Sequence, residues 1–128
     1  MRWDVLILRT YKHGSTWNRV KRKMAEEKQT AWSAEGDKEK GTVRITGEVD
    51  FTNSLEVRQW LKDFCLESQG ALEIDLSNLA YIDSSGLAIL IEIRKHLMSS
   101  NRTVRIVGAS SQVQKLFTLT QIGDLFGI

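Results

Sequence analysis

Three short stretches of this chain alternate polar and apolar residues with a period of two, and the stretches that separate them carry a helical period instead. Residues 42–46 (Thr-Val-Arg-Ile-Thr), 72–76 (Leu-Glu-Ile-Asp-Leu) and 103–106 (Thr-Val-Arg-Ile) each read as a half-buried strand. The resulting order, strand then helix three times over, argues for an α/β fold. A sheet covered by helices on both faces needs near-continuous apolar strands, whereas alternation leaves one face wet, so the helices are expected mainly on one side. Residues 31–35 (Ala-Trp-Ser-Ala-Glu) suggest a further strand, paired with 42–47 across the turn-rich residues 36–41. The expectation is a mixed sheet of four or five strands with three or so helices packed mainly on one face.

The first helix is expected to start near Asn53, with Thr52 or Asn53 as its cap, and to run to about Glu67. Leu55, Trp60, Leu61, Phe64 and Cys65 supply its apolar face, and Gly70 marks its stop. The second begins at Ser84 or Ser85 and runs to about Ser99. Its apolar residues Leu87, Ile89, Leu90, Ile91, Ile93, Leu97 and Met98 span an arc of roughly 200°, wider than a surface helix needs, so this helix is central. Arg94 falls inside that arc and is expected to snorkel near the helix end. The third starts at Ser110 or Ser111 and presents Val113, Leu116 and Phe117, with Gly123 ending it or kinking it into Asp124-Leu125-Phe126.

A length of 128 residues suits one domain and one core. No apolar run approaches the roughly 18 residues of a membrane span, and the first residues do not form a secretory signal, so the chain is expected in the cytoplasm. The single cysteine, Cys65, excludes an internal disulfide and a cysteine-based metal site, and reads as a buried thiol. Charge is unevenly spread. Residues 1–23 hold seven Lys and Arg against one acid, while 24–128 hold eleven against fifteen. The chain therefore divides into a basic N-terminal extension, 1–23, and a folded domain, 24–128, with Met24 resembling an ordinary start.

The segment Asp75-Leu76-Ser77-Asn78-Leu79-Ala80-Tyr81-Ile82-Asp83-Ser84-Ser85-Gly86-Leu87 carries the most chemistry. It runs from a strand through a loop into a helix that opens on two serines and a glycine. Free N–H groups and the macrodipole at a helix start tolerate a negative charge, so a phosphate on a serine here leaves the fold intact. It adds about −1.5 to −2 charge at pH 7, beside Asp83 and near Asp50 of the Gly47-Glu48-Val49-Asp50 turn, and turns the local surface anionic. The plainer alternative is that Ser84 and Ser85 cap the helix and Gly86 permits close packing. A catalytic serine is not supported. The first glycine of a Gly-x-Ser-x-Gly elbow is missing, His13 lies in the extension, and His96 sits on the same helix about 15 Å or more from Ser85. There is no glycine-rich nucleotide cradle either, and no cofactor is expected.

Asp75-Leu76-Ser77 followed by Tyr81-Ile82-Asp83-Ser84-Ser85-Gly86-Leu87 resembles the signature of the STAS domain family, the bacterial anti-sigma factor antagonists. Thr46-Gly47-Glu48-Val49-Asp50 is similar to that family's Gly-Glu-hydrophobic-Asp turn, and Val113 through Phe126 resembles its C-terminal helix. The likeness spans about residues 31–128. It implies a non-enzymatic partner switch. Unmodified, the protein binds an anti-sigma factor that is also a serine kinase; phosphorylated at Ser85, with Ser84 the alternate, it lets go; a serine phosphatase restores it. Asp50, Asp83, Ser84, Ser85 and Gly86 would form the partner contact. The other reading is a STAS subunit, never phosphorylated, that scaffolds a transport ATPase or a signalling complex. A third class, nucleic-acid binding through residues 1–23, predicts an affinity that falls steeply with salt and disappears on truncation to Met24, which a filter-binding titration checks.

Overall fold

The computed structural model describes residues 32–128; the proposed extension 1–23 lies outside them. Three helices and five strands are present, in the anticipated order except for one strand added between the third strand and the central helix. They are β1 (Trp32–Asp37), β2 (Thr42–Val49), α1 (Ser54–Glu67), β3 (Leu72–Leu76), β4 (Leu79–Ile82), α2 (Ser84–Met98), β5 (Val104–Ala109) and α3 (Ser111–Thr120), closed by a 3-10 turn at Gly123–Phe126.

The sheet is mixed. β1 runs antiparallel to β2 from Trp32 opposite Gly47 to Asp37 opposite Thr42. On its other edge β2 is shared, parallel to β3 along Thr42–Arg44 and parallel to β4 along Gly47–Val49. β5 completes the sheet, parallel to β3. Sequence reading leaves 77–83 as a loop, because β4 has four residues and its buried positions are its two ends, which gives no alternation to detect. A second difference lies at Gly47. The expected turn at 47–50 is instead the end of β2, where Gly47 adopts φ +92 and the register with β4 shifts by a bulge, and the chain turns only after Val49.

Alternation does separate two faces. Val43, Ile45, Leu72, Ile74, Leu76, Val104 and Ile106 are buried, while the intervening Arg44, Glu73, Asp75 and Arg105 are half-buried or exposed. The buried face meets Val57, Leu61, Phe64 and Cys65 of α1, Leu87, Ile89, Leu90, Ile93 and Leu97 of α2, and Val113 and Phe117 of α3. Two apolar assignments are corrected. Leu55 is 75% exposed and Met98 51% exposed, whereas Val57, which the helical reading passes over, is 3% exposed. Leu55 lies about 120–180° around α1 from Val57, Leu61 and Phe64 at 100° per residue, on the face turned away from the core, and Met98 is the last residue of α2. Arg94 reaches the closing turn, its Nε donating to the Leu125 carbonyl at 3.1 Å.

Polar bonds tie the helix layer at both ends. Arg102, just past α2, donates to the Cys65 carbonyl and the Gly70 carbonyl, each at 2.8 Å, and to Ser68 Oγ at 3.1 Å. It thereby occupies acceptors at the C-terminal end of α1 that have no partner within the helix. Between the helices, Arg58 on α1 grips Glu92 on α2 through two bonds of 2.6 and 2.8 Å, with Lys62 3.5 Å away. The Arg58 guanidinium holds the Glu92 carboxyl down from 4.5 to about 2. A carboxyl lowered in the folded state stabilises fully above its unfolded value, and the stabilisation fades as pH falls toward the folded one. Glu92→Gln is therefore expected to lower the urea midpoint modestly at pH 7, since a pair 41% exposed at the carboxylate is screened by water. The gap to the parent should close between about pH 4.5 and 2, and urea titrations across that range check it; a gap independent of pH would remove this pair from the account of stability.

Candidate functional site

The site is assembled where β4 hands over to α2, and Asp83 organises it. Sequence alone assigns the cap of α2 to Ser84 or Ser85. The structure assigns it to Asp83, whose Oδ1 accepts from the backbone N–H of Ser85 at 2.9 Å and of Gly86 at 3.2 Å. Its Oδ2 accepts from the Phe51 N–H at 3.1 Å, and its own N–H donates to the Val49 carbonyl at 3.2 Å. One carboxylate thus joins the end of β2, the loop before α1 and the start of α2. Asp fits because capping and the bridge to Phe51 need two acceptors on one short stem.

The cap also changes the expected electrostatics. Two of the N–H groups that sequence reasoning left free for an incoming phosphate are already taken by a carboxylate. Asp50 is likewise engaged. Its Oδ1 accepts from Thr52 N at 2.8 Å, and its N–H donates to Asn53 Oδ1 at 3.0 Å. Asn53, 1% exposed, donates from Nδ2 to the Glu48 carbonyl at 2.9 Å and so pins the loop that carries Asp50 and Phe51. Nothing in the sequence pattern separates this role from an ordinary cap, and Asn53 makes no side-chain cap bond.

Of the residues expected at a partner contact, the structure brings Asp83, Ser84, Ser85 and Gly86 together, and Asp83 links them to the loop of Asp50. Their presentation differs. Ser84 is exposed, Ser85 half-buried and Gly86 buried. A Cβ on Gly86 would stand 2.5 Å from Ile82 Cγ1 and 3.0 Å from Val49 Cγ1, so this glycine lets α2 close onto β4 and β2 and is not itself a contact surface. Exposed apolar side chains lie near the serines: Tyr81 (40%) and Leu119 (80%) share a groove with Ser84, and Phe51 (66%) sits on the loop bonded to Asp83. Tyr81, Ser84, Gln112, Lys115, Leu116 and Leu119 line a groove of about 550 Å³ between β4 and α3. Sequence reasoning missed this groove. Its signal was Leu119, which is out of phase with the buried Val113 and Phe117 of the same helix.

Elsewhere, Asp75 closes β3 by accepting from Ser77 N at 2.9 Å, and Ser77 together with Arg44 holds its carboxyl below the usual range. Cys65 is buried as anticipated, and burial pushes its thiol up. His96 is exposed near the other end of α2 from the serines. Among the described residues no His, Cys, Asp and Glu cluster could hold a metal, and no helix is long and apolar enough to cross a membrane.

A mixed sheet with its helices on one face and a carboxylate-capped serine pair opening its central helix defines a compact α/β module built around that junction. Residues 31–128 match the STAS domain family, and the chain belongs to it. The anti-sigma-B factor antagonist of Staphylococcus epidermidis is 28% identical over 86 residues, 67% of this chain and 80% of that one. Among solved structures, an anti-sigma factor antagonist from Mycobacterium paratuberculosis superposes with a TM-score of 0.66 at 23% identity, covering 75% of this chain and 83% of its own. The anti-sigma factor antagonist SpoIIAA in its unphosphorylated form gives 0.61 at 21%, covering 74% and 84%. The phosphorylated form of SpoIIAA, a Bacillus cell fate determinant, gives 0.53 at 21%, covering 74% and 87%. At these identities the structural likeness speaks for the fold.

The cap predicts an order of severity. Asp83→Ala, which removes the cap and the bridge to Phe51, should destabilise by about 2 kcal/mol. Asp83→Asn keeps one acceptor and should recover part of that. Urea unfolding of the two variants checks the order, and equal losses would mean that one retained acceptor oxygen contributes nothing without the second.

Proposed function

We propose that this protein is an anti-sigma factor antagonist that works as a phosphorylation-controlled partner switch. In its unmodified state it binds an anti-sigma factor with serine kinase activity through the surface around the start of α2, and phosphorylation of a serine there releases the partner. A serine phosphatase resets the switch, and the protein itself performs no catalysis. The observation that carries the reading is the exposed Ser84 hydroxyl at the first position of α2, on a junction already held by Asp83. Because the cap belongs to the carboxylate, the serine hydroxyls are not needed to start the helix, and modifying one does not remove a cap. The names of the relatives point the same way, as does the existence of SpoIIAA in both states.

Exposure revises the choice between the serines. A kinase must bring the γ-phosphate in line with the attacking hydroxyl, which requires access. Ser84 is exposed and Ser85 half-buried, so Ser84 is the favoured acceptor and Ser85 the alternate. The apolar side chains of Tyr81 and Leu119 in the same groove, and of Phe51 on the loop bonded to Asp83, supply contact area near it, as an interface core does. A dianion added at Ser84 sits next to the Asp83 carboxylate, and a partner fitted to the neutral hydroxyl is repelled and loses a hydrogen bond; about 1.4 kcal/mol changes affinity tenfold.

Incubation with ATP and the cognate kinase should add one phosphate to the intact mass, retained in Ser85→Ala and lost in Ser84→Ala. Ser84→Asp should weaken binding to that kinase by about 10- to 100-fold in a calorimetric titration. Phosphate lost only in Ser85→Ala would return the assignment to Ser85. Binding insensitive to both serines, with no phosphate incorporated, would instead support a STAS subunit that scaffolds a larger complex.

A further inference from the structure

We propose that Lys115 on α3 is the counter-charge of phosphorylated Ser84, drawing the phosphate across the groove between β4 and α3. The inference rests on the reading of Ser84 as a modification site and extends it to how the modified state is held.

Four observations lead there. Ser84, the first residue of α2, and Lys115 on α3 line the same groove. The helix start that would otherwise receive a phosphate is partly spent, since Asp83 takes the Ser85 and Gly86 N–H groups. Of the carboxylate and ammonium groups lining the groove, Asp83 repels a phosphate and Lys115 alone attracts it. Asp50, across the junction, adds a second repelling carboxylate. Finally, Lys115 is exposed and has no ion pair or hydrogen bond among the described residues, so no existing bond must be broken. A lysine suits the task because its ammonium is a mobile point charge on a four-carbon stem that can follow the phosphate.

A phosphate so held shares the groove with the apolar side chains of Tyr81, Leu116 and Leu119. The modified protein then differs from the unmodified one in two ways: it bears an anion at Ser84, and its groove is bridged. Lys115, available to a partner's carboxylate before modification, is engaged afterward.

The test installs phosphoserine at position 84 of the full chain by suppression during translation, which makes it independent of whether any kinase modifies this residue. The second ionisation of the phosphate is followed by phosphorus NMR against pH. Free phosphoserine titrates near pH 6. Replacing Lys115 by Gln should raise the midpoint by about 0.3–0.7 pH unit, roughly a two- to fivefold gain in proton affinity, as expected for losing one partly solvated counter-charge. Lys115→Arg should restore the parent midpoint. Lys95→Gln, in the last turn of α2, should leave it unchanged. A midpoint unmoved in Lys115→Gln, or moved equally in Lys95→Gln, would overturn the assignment. Failure of phosphate incorporation by the kinase at Ser84 would count against the proposed function and leave this measurement intact.

Discussion

The carboxylate of Asp83 is the constraint on which the rest of the site depends. Two oxygens on a one-carbon stem satisfy three N–H donors, one from the loop before α1 and two from the first turn of α2. A junction where a strand, a loop and a helix meet leaves backbone donors that must find partners when water is displaced. Asp83 answers that need for the start of α2 and for Phe51 at once, and the adjacent Ser84 is left as a surface group. The division of labour is chemical. A carboxylate holds the architecture, and a hydroxyl that holds nothing is free to be modified.

The same economy appears in the packing around it. Gly86 brings the helix backbone against Ile82 and Val49, closer than any side chain would permit. Asn53 holds the neighbouring loop from inside, with its amide shared between Glu48 and Asp50. Rigid backbone on both sides of Ser84 means that its environment is set by a few fixed contacts. The variable part is the set of exposed side chains near it, Phe51, Tyr81, Lys115 and Leu119.

Much of the fold was legible because the strands have one wet face. Alternation at 42–46, 72–76 and 103–106 placed β2, β3 and β5 and put the helices on one side. What escaped was short or decided by neighbours. β4 offers four residues, too few for a period to register. Leu55 and Met98 have the chemistry of a core, but Leu55 faces away from the side of α1 that carries Val57 and Leu61, and Met98 is the last residue of its helix. The site was legible as a location and not as an arrangement. Asp83, Ser84, Ser85 and Gly86 are contiguous in the chain, yet which of them caps, which packs and which faces solvent depends on Val49 and Phe51 more than thirty residues earlier. The groove to α3 joins segments about thirty residues apart, and only an out-of-phase Leu119 hinted at it.

Arg102 stands at the pole away from the serines, where one guanidinium fastens the tail of α1 to the turn that follows α2. With Asp83 fastening the opposite pole and Arg58 and Glu92 clasped between, the two helices have little room to slide or tilt against each other. A domain braced in this way is poorly suited to relaying information by deformation. Whatever it communicates has to be displayed, as a change in the face it shows, so that a visitor senses altered chemistry upon an unaltered frame.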